Sequence, residues 1–315
     1  MATTRSPRHG SLMFWPRKRA KRQHSRIRHH PELKETKLSG FAGYKVGMTH
    51  AIAIDNRPAS HTKGEDLFIP LTVIECPPVT VASIRLYKRT PYGLKLAGEH
   101  TTKSDQAKLA EYEKEIDKYA VVRVNVQTQP KLTGIGKKKP ELFEMAIGGN
   151  VQGQMEYAKQ LLGKEVKLQD VFREGQQVDI YAVTKGKGFQ GPVKRFGVAL
   201  RPHKSEKGRR GPGNLGPWTG NRSWTVAHAG KMGYHNRLER NRWIVKIADS
   251  AKGIDSKGGF LQYGVVKNPY ILLKGSVQGP RKRLVKLMHA ARHNKLVPEH
   301  APQITYLSLQ SKQGK

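Results

Sequence analysis

Apolar and polar positions show no regular period over residues 1–36, where Pro7, Pro16 and Pro31 interrupt a run rich in arginine and histidine. That pattern predicts an extended tail rather than a packed element. A strand pattern opens at Leu38. It passes through Phe41-Ala42-Gly43-Tyr44-Lys45-Val46-Gly47-Met48-Thr49-His50 and then alternates across Ala51–Ile54. Further β-type runs lie at Leu67–Glu75, Val79–Tyr87, Ala120–Gln127, Val178–Thr184, Gly259–Val266, Ile271–Val277 and Ile304–Leu309. Many short strands separated by glycine and proline predict a mainly β fold, a barrel or a sandwich. Helical spacing occurs at Asp105–Asp117 and Gln154–Leu162. A strand pattern at Val121–Val126 separates them, so 95–170 reads as a mixed α/β insertion. Arg281–Ala291 predicts a third helix, with Leu284, Val285, Leu287 and Met288 on one face and Arg281, Lys282, Arg283 and Lys286 mostly on the other.

Residues 185–243 fit neither period. They hold many glycines and three of the four tryptophans, Trp218, Trp224 and Trp243. Loops longer than about 15 residues without secondary structure are usually functional or disordered, and the aromatic content argues against simple disorder. The stretch predicts a protruding loop that becomes ordered by packing into something else. Trp243, before Ile244-Val245, is expected to begin a strand and join the core. Trp218, flanked by turn formers, is expected at an exposed tip.

Charge says what that something else is. The chain has 58 Lys and Arg against 24 Asp and Glu, a formal net charge of +34 on 315 residues. A compact state with so much charge of one sign repels itself unless a polyanion neutralises it. The surplus is unevenly placed: +9 in residues 1–30, +3 in 31–180, +13 in 181–246 and +9 in 247–315. An ordinary globular region is therefore flanked by basic segments, the pattern expected of arms that order on an anionic partner. Nucleic acid fits. A membrane does not: mean hydropathy is −0.64, and no apolar run approaches the roughly 20 residues of a span. Leu12-Met13-Phe14-Trp15 is too short for a signal peptide and precedes its basic residues, the reverse of the secretory order. Hydrophobic residues make up 37%, enough for one core of moderate size plus extended segments.

Candidate chemistry is sparse. Cys76 is the single cysteine. It can form no intramolecular disulfide and no multi-cysteine zinc site, and beside Pro77-Pro78 it is expected to be a buried core thiol. Gly186-Lys187-Gly188-Phe189-Gln190-Gly191 matches the dinucleotide glycine pattern, and Glu206 lies about 20 residues on. The context fails, because Pro192, Gly197, Pro202 and a basic run follow where a helix and a second strand are needed. Glycine instead lets the backbone approach a phosphate, with Lys185, Lys187, Lys194 and Arg195 supplying charge. Of 13 histidines, His29 and His30 lie in the tail and His203, His228 and His235 in the long loop. None has metal-ligand spacing, and contact with bases or phosphate suits them better. The acids of 99–117 are expected on a helix surface. The residues predict no catalytic group, metal, cofactor or small-molecule substrate.

At this point the chain resembles a known family. Phe172-x6-Asp179-x2-Ala182-x-Thr184-x-Gly186-Lys187-Gly188-x2-Gly191-x3-Arg195 is similar to the signature of the L-three family of large-subunit ribosomal proteins. So are Ser6-Pro7-Arg8-His9-Gly10-Ser11-Leu12 with Pro16-Arg17-Lys18-Arg19-Ala20, the run Phe41–His50, and Ala229-Gly230-Lys231-Met232-Gly233-Tyr234-His235-Asn236-Arg237. The length is nearer the archaeal members. The resemblance implies a six-stranded translation-protein β-barrel with an α/β insertion, an extended N-terminal arm and a long finger loop. It also implies binding to large-subunit rRNA early in assembly, and a finger reaching toward the peptidyl transferase centre with Trp218 at its tip. The expected division is an arm over 1–36, barrel segments at 37–94, 171–202 and 243–315, the insertion at 95–170 and the finger at 203–242.

Three groups of residues are expected to contact rRNA. In the arm they are Arg5, Arg8, Arg17, Lys18, Arg19, Lys21, Arg22, Arg26 and Arg28. Around the glycine motif and finger they are Lys185, Lys187, Lys194, Arg195, Arg201, Lys204, Lys207, Arg209, Arg210, Trp218, Arg222, Lys231, His235 and Arg237. Near the C-terminal part they are Arg281, Lys282 and Arg283. The expected partners are large-subunit rRNA and neighbouring large-subunit proteins, with the chain a monomer within the cytoplasmic ribosome and not an enzyme. An RNA-modifying enzyme would need a catalytic constellation, which the sequence lacks. A general DNA-binding module would bind duplex DNA and structured RNA alike.

Overall fold

The first strand, β1 (Gly40–Ile54), organises the molecule because it has three partners. In the computed structural model, which describes residues 14–102, 106–206, 208–213, 226–251 and 253–310, β1 pairs antiparallel with β2 (Asp66–Glu75), β13 (Leu284–His289) and β14 (Ile304–Leu307). Glycine permits this crowding. A Cβ on Gly43 would meet Cys76 Sγ at 2.6 Å and Glu75 O at 2.7 Å, and one on Gly40 would collide with Leu287 O and Met288 Sδ. The strand order is β13, β8 (Gln177–Val183), β11 (Asn236–Ala248), β12 (Tyr270–Lys274), β2, β1 and β14, and β13 also pairs with β1. The molecule is mainly β.

A second sheet has the order β4 (Gly93–Thr101), β3 (Val79–Thr90), β5 (Val121–Gln127) and β6 (Leu142–Ala146), with β7 (Glu165–Val166) pairing to β3. Two helices accompany it. In α1 (Gln106–Lys114) Tyr112 covers Gly98, where a Cβ would lie 2.9 Å from its ring. In α2 (Val151–Leu161) Gln154, Met155 and Ala158 are buried, and Gln154 Oε1 accepts from Val122 N at 3.0 Å.

The chain divides into two compact units. The larger holds Gln23–Ala182 and Arg237–Lys315, the smaller Met1–Arg22 and Val183–Asn236. Buried polar groups tie the larger unit together, as desolvated groups must be paired. Glu75 Oε1 accepts from Lys267 N (2.9 Å), Asn268 N (2.9 Å) and Asn268 Nδ2 (2.7 Å), and its Oε2 accepts from the Tyr263 hydroxyl. Burial, then the charge of Glu75, pushes the Tyr263 phenol well above its usual range, so it remains a donor.

Several sequence expectations hold. β1, β2, β3, β5, β8, α1 and α2 lie where their patterns predicted, and Cys76 is buried, its thiol pushed up by desolvation. Others are corrected. Arg281–Ala291 is no helix: the basic triplet lies in a turn with Lys282 at φ 66°, and Leu284–His289 is β13, buried on every residue. Gly259–Val266 is a series of turns, in which Gly259, Gln262 and Gly264 have positive φ. β4 and β6 had no recognised signal. Trp243 lies inside β11, not at its start, and its Nε1 donates to Gly175 O at 2.9 Å. Residues 185–243 are not unstructured throughout. The smaller unit contains a ribbon of β9 (Phe189–Gln190) and β10 (Gly230–Lys231), and α3 (Pro192–Phe196) follows the glycine motif directly. The tip residues 214–225, Trp218 and Trp224 among them, lie outside the described residues.

Candidate nucleic-acid interface

Charge is concentrated where the fold gathers the arm and the glycine motif into one unit. The smaller unit has 18 Lys and Arg and one acid, Glu206, so half of the net charge sits in 76 of the 315 residues. Its centre is Phe196, which proline at the first position of α3 and Gly197 at its left-handed C-cap (φ 70°) hold in place. Trp15 packs against Phe196 with ring centroids 5.6 Å apart. The Arg17 guanidinium lies 4.1 Å and that of Arg195 5.1 Å from the Phe196 ring centroid. Arg17 Nη1 donates to Arg195 O at 2.6 Å, and Arg195 donates to His228 O at 2.8 Å and Lys231 O at 3.1 Å. Burial lowers the pKa of both arginines, and Arg195 lowers that of Arg17 further. No ion pair to a carboxylate is found for either among the described residues. Cations held side by side on backbone carbonyls form a site that an anion would stabilise.

The β9–β10 ribbon presents the glycine motif. Lys187 N donates to Met232 O and Met232 N donates to Gly188 O, both at 2.9 Å. Gly233 (φ 74°) runs so close to Lys185 O that a Cβ would collide with it. The backbone is thus fixed while Lys185, Lys187, Lys194 and Lys231 remain exposed. Phe189 is 68% exposed in their midst. It was no candidate on sequence, although an aromatic interleaved with basic residues is a signal for base stacking.

The predicted residues therefore fall into groups. Lys18, Arg19, Lys21, Arg22, Lys185, Lys187, Lys194, Lys204, Arg210 and Lys231 lie exposed in the smaller unit. Arg17, Arg195, Arg201 and Arg209 are half-buried there, with Arg209 Nε donating to Arg201 O at 3.1 Å. His235 is buried and its Nδ1 donates to Lys18 O at 2.8 Å, so it secures the arm instead of facing outward. The larger unit holds Arg26, Arg28, Arg237, Arg281, Lys282 and Arg283. Arg26 and Arg28 point outward on either side of buried Ile27, and Arg283 Nη1 donates to Gln23 O at 3.2 Å. Arg5, Arg8, Lys207, Trp218 and Arg222 lie outside the described residues.

Catalytic and metal readings find no such convergence. Among the described residues no three His, Cys, Asp or Glu cluster as metal ligands would. α3 puts a helix after the glycine motif, contrary to expectation, but it is only five residues long, and the next strand among the described residues, β10, carries no acid. Among the described residues no helix is long and apolar enough to cross a membrane.

A family model described as Ribosomal protein L3 matches residues 1–107 and 95–314. The chain belongs to the ribosomal protein L3 family. It is 47% identical to the large ribosomal subunit protein uL3 of Methanosphaera stadtmanae over 337 aligned positions, covering 100% of both chains. It is 44% identical to that of Methanothermobacter thermautotrophicus, again over 100% of both, and 46% identical to that of Archaeoglobus fulgidus over 98% of both. These relatives are archaeal, in keeping with the length noted above.

Proposed function

We propose that this chain is a structural constituent of the large ribosomal subunit, bound to large-subunit rRNA and to neighbouring ribosomal proteins in the cytoplasmic ribosome. It has no catalytic role of its own. The observation that carries the reading is a unit with 18 cations and one acid in its sequence, 14 of those cations among its described residues, in a chain of this family. Duplex nucleic acid carries about one charge per 1.7 Å of axis, and only such a polyanion matches a surface so uniformly basic.

In this reading the larger unit anchors and the basic extensions penetrate. The pairing of β1 with β2 and β13, and the order β13, β8, β11, β12 between them, support a six-stranded translation-protein barrel with β14 as an addition. Residues 95–170 form the insertion, 1–36 the arm and 203–242 the finger, with Trp218 at its tip near the peptidyl transferase centre. The cations named above neutralise phosphates, and Phe189 stacks on a base. Binding comes early in assembly, since an arm surrounded by RNA must be present while that RNA folds. The deciding experiment is co-sedimentation with large subunits in high salt. Retention through the wash is the expected result. Quantitative release, with equal affinity for duplex DNA and rRNA, would leave only a general basic binder.

A further inference from the structure

The region 31–180 carries a net charge of only +3, yet one part of it is as basic as the arm. Residues 86–98, the distal half of the β3–β4 hairpin, contain Lys88, Arg89 and Lys95 and no acid. The hairpin outgrows its sheet. β5 pairs with β3 only as far as Tyr87↔Val121, so Lys88–Thr90 and Gly93–Lys95 pair with each other alone. At the turn Thr90 Oγ1 donates to Gly93 O at 2.8 Å, Gly93 has φ 117°, and Tyr92 is fully exposed at 102%.

The charges in this hairpin are arranged against its own stability. Lys88 and Lys95 are directly opposed cross-strand partners, and like charges in that position destabilise a sheet. Lys88 Nζ lies 5.3 Å from the Tyr119 ring centroid, which orients it without neutralising it. The acid that feels its charge, Glu115, is itself held at 2.6 Å by Lys118. Three residues earlier on the same strand, Arg85 is paired with Glu99 at 3.1 Å and Glu144 at 3.4 Å. Pairing therefore stops where the hairpin leaves the sheet. An uncompensated lysine pair below a bare tyrosine is unfavourable in water and favourable beside closely spaced phosphates with an accessible base.

We propose that the tip of the β3–β4 hairpin is a second RNA contact, with Tyr92 stacked on an unpaired or helix-terminal base and Lys88, Arg89 and Lys95 on the flanking phosphates. The proposal rests on the rRNA-binding reading and adds a site on the second sheet, which the smaller unit does not contain. The competing occupant is a protein docking on Leu94 and Leu96, each 42% exposed. Protein interface cores are depleted in lysine, so the apposed lysines favour RNA.

The test uses the full chain and a large-subunit rRNA transcript, with affinity measured across a salt series. Tyr92→Ala should weaken binding by about five-fold or more with the salt slope unchanged, and Tyr92→Trp should bind like the parent. The double variant Lys88→Gln, Lys95→Gln should bind more weakly at low salt and flatten the log–log slope by about 1.4 to 1.8. Cooperative melting curves no lower than the parent's would establish that all three fold. If the parent prefers the transcript over duplex DNA but the variants match it in affinity and slope, the hairpin site is overturned alone. If those variants instead fail only to enter subunits, the occupant is a protein and the RNA site is equally overturned. A parent with no preference for the transcript would overturn the rRNA reading as well.

Discussion

Single residues show how a chain this basic keeps an interior. Lys286 is 1% exposed on β13, and its ammonium donates to Ser25 O at 2.7 Å and His24 Nδ1 at 3.3 Å while lying 3.8 Å from the Phe143 ring centroid. Lys45 is also buried and donates to the carbonyls of Val277 and Gly279. Both use backbone oxygens, and Lys286 also uses a ring face, to hold a buried ammonium. The same surroundings act on histidine. Burial, then the charge of Arg123, lowers His30 from 6.5 to about 4, and burial, then Lys37, lowers His289 from 6.5 to about 4. Unfolded, each ring takes a proton near pH 6.5. Between 6.5 and 4 the unfolded chain therefore binds more protons than the folded one, and stability rises with pH across that window. The RNA-free protein should be fully stabilised by these rings above about pH 6.5 and lose on the order of 2 kcal/mol per ring by pH 5. Urea midpoints at the two pH values measure this, and His289→Asn should show a smaller drop. A midpoint independent of pH over that range would contradict the assignment of neutral buried rings.

Strands and helices were legible to different degrees, and the differences have physical causes. β1, β2, β3, β5 and β8 pack at least one face on the core, so their apolar runs are visible along the chain. β13 was misread because both its faces are covered. Its sequence Leu-Val-Lys-Leu-Met-His then has no period of two, and the intervening Lys286 imitates the polar face of a helix. β4 gave the opposite difficulty: eight of its nine residues are not buried, so nothing demands a run of apolar side chains there. The glycines of β1 had a visible pattern but no visible reason, which is the closeness of β2 and β13. Gly43→Ala should therefore cost roughly 1–3 kcal/mol by overpacking. Gly134→Ala, where the nearest atom to a new Cβ is Val265 O at 3.9 Å, should stay within about 0.5 kcal/mol of the parent. Denaturant midpoints compare the two, and equal effects would mean that β1 can move away from its partners.

For the whole molecule, the net charge of +34 fixed the class of partner, and the fold distributed it. Binding to rRNA should weaken steeply with salt, by about 0.7 to 0.9 in log–log slope for each phosphate neutralised. The exposed cations of the smaller unit alone would give a slope steeper than roughly −3.5 if only about five of them reach phosphate. A shallow slope, measured by filter binding over a salt series, would sink the phosphate-contact reading. The sequence by itself determined the mainly β class, the polyanionic partner, the family and the basic segments that face it, because composition and local pattern are additive along the chain. Only the tertiary structure decided which cations work together. It brought Trp15 and Arg17 onto Phe196, some 180 residues distant, turned His235 inward to hold the arm, and left Lys88 and Lys95 opposed on a hairpin that linear charge counts had averaged away. Contacts between residues distant in sequence depend on the path of the backbone, and no local period encodes that path.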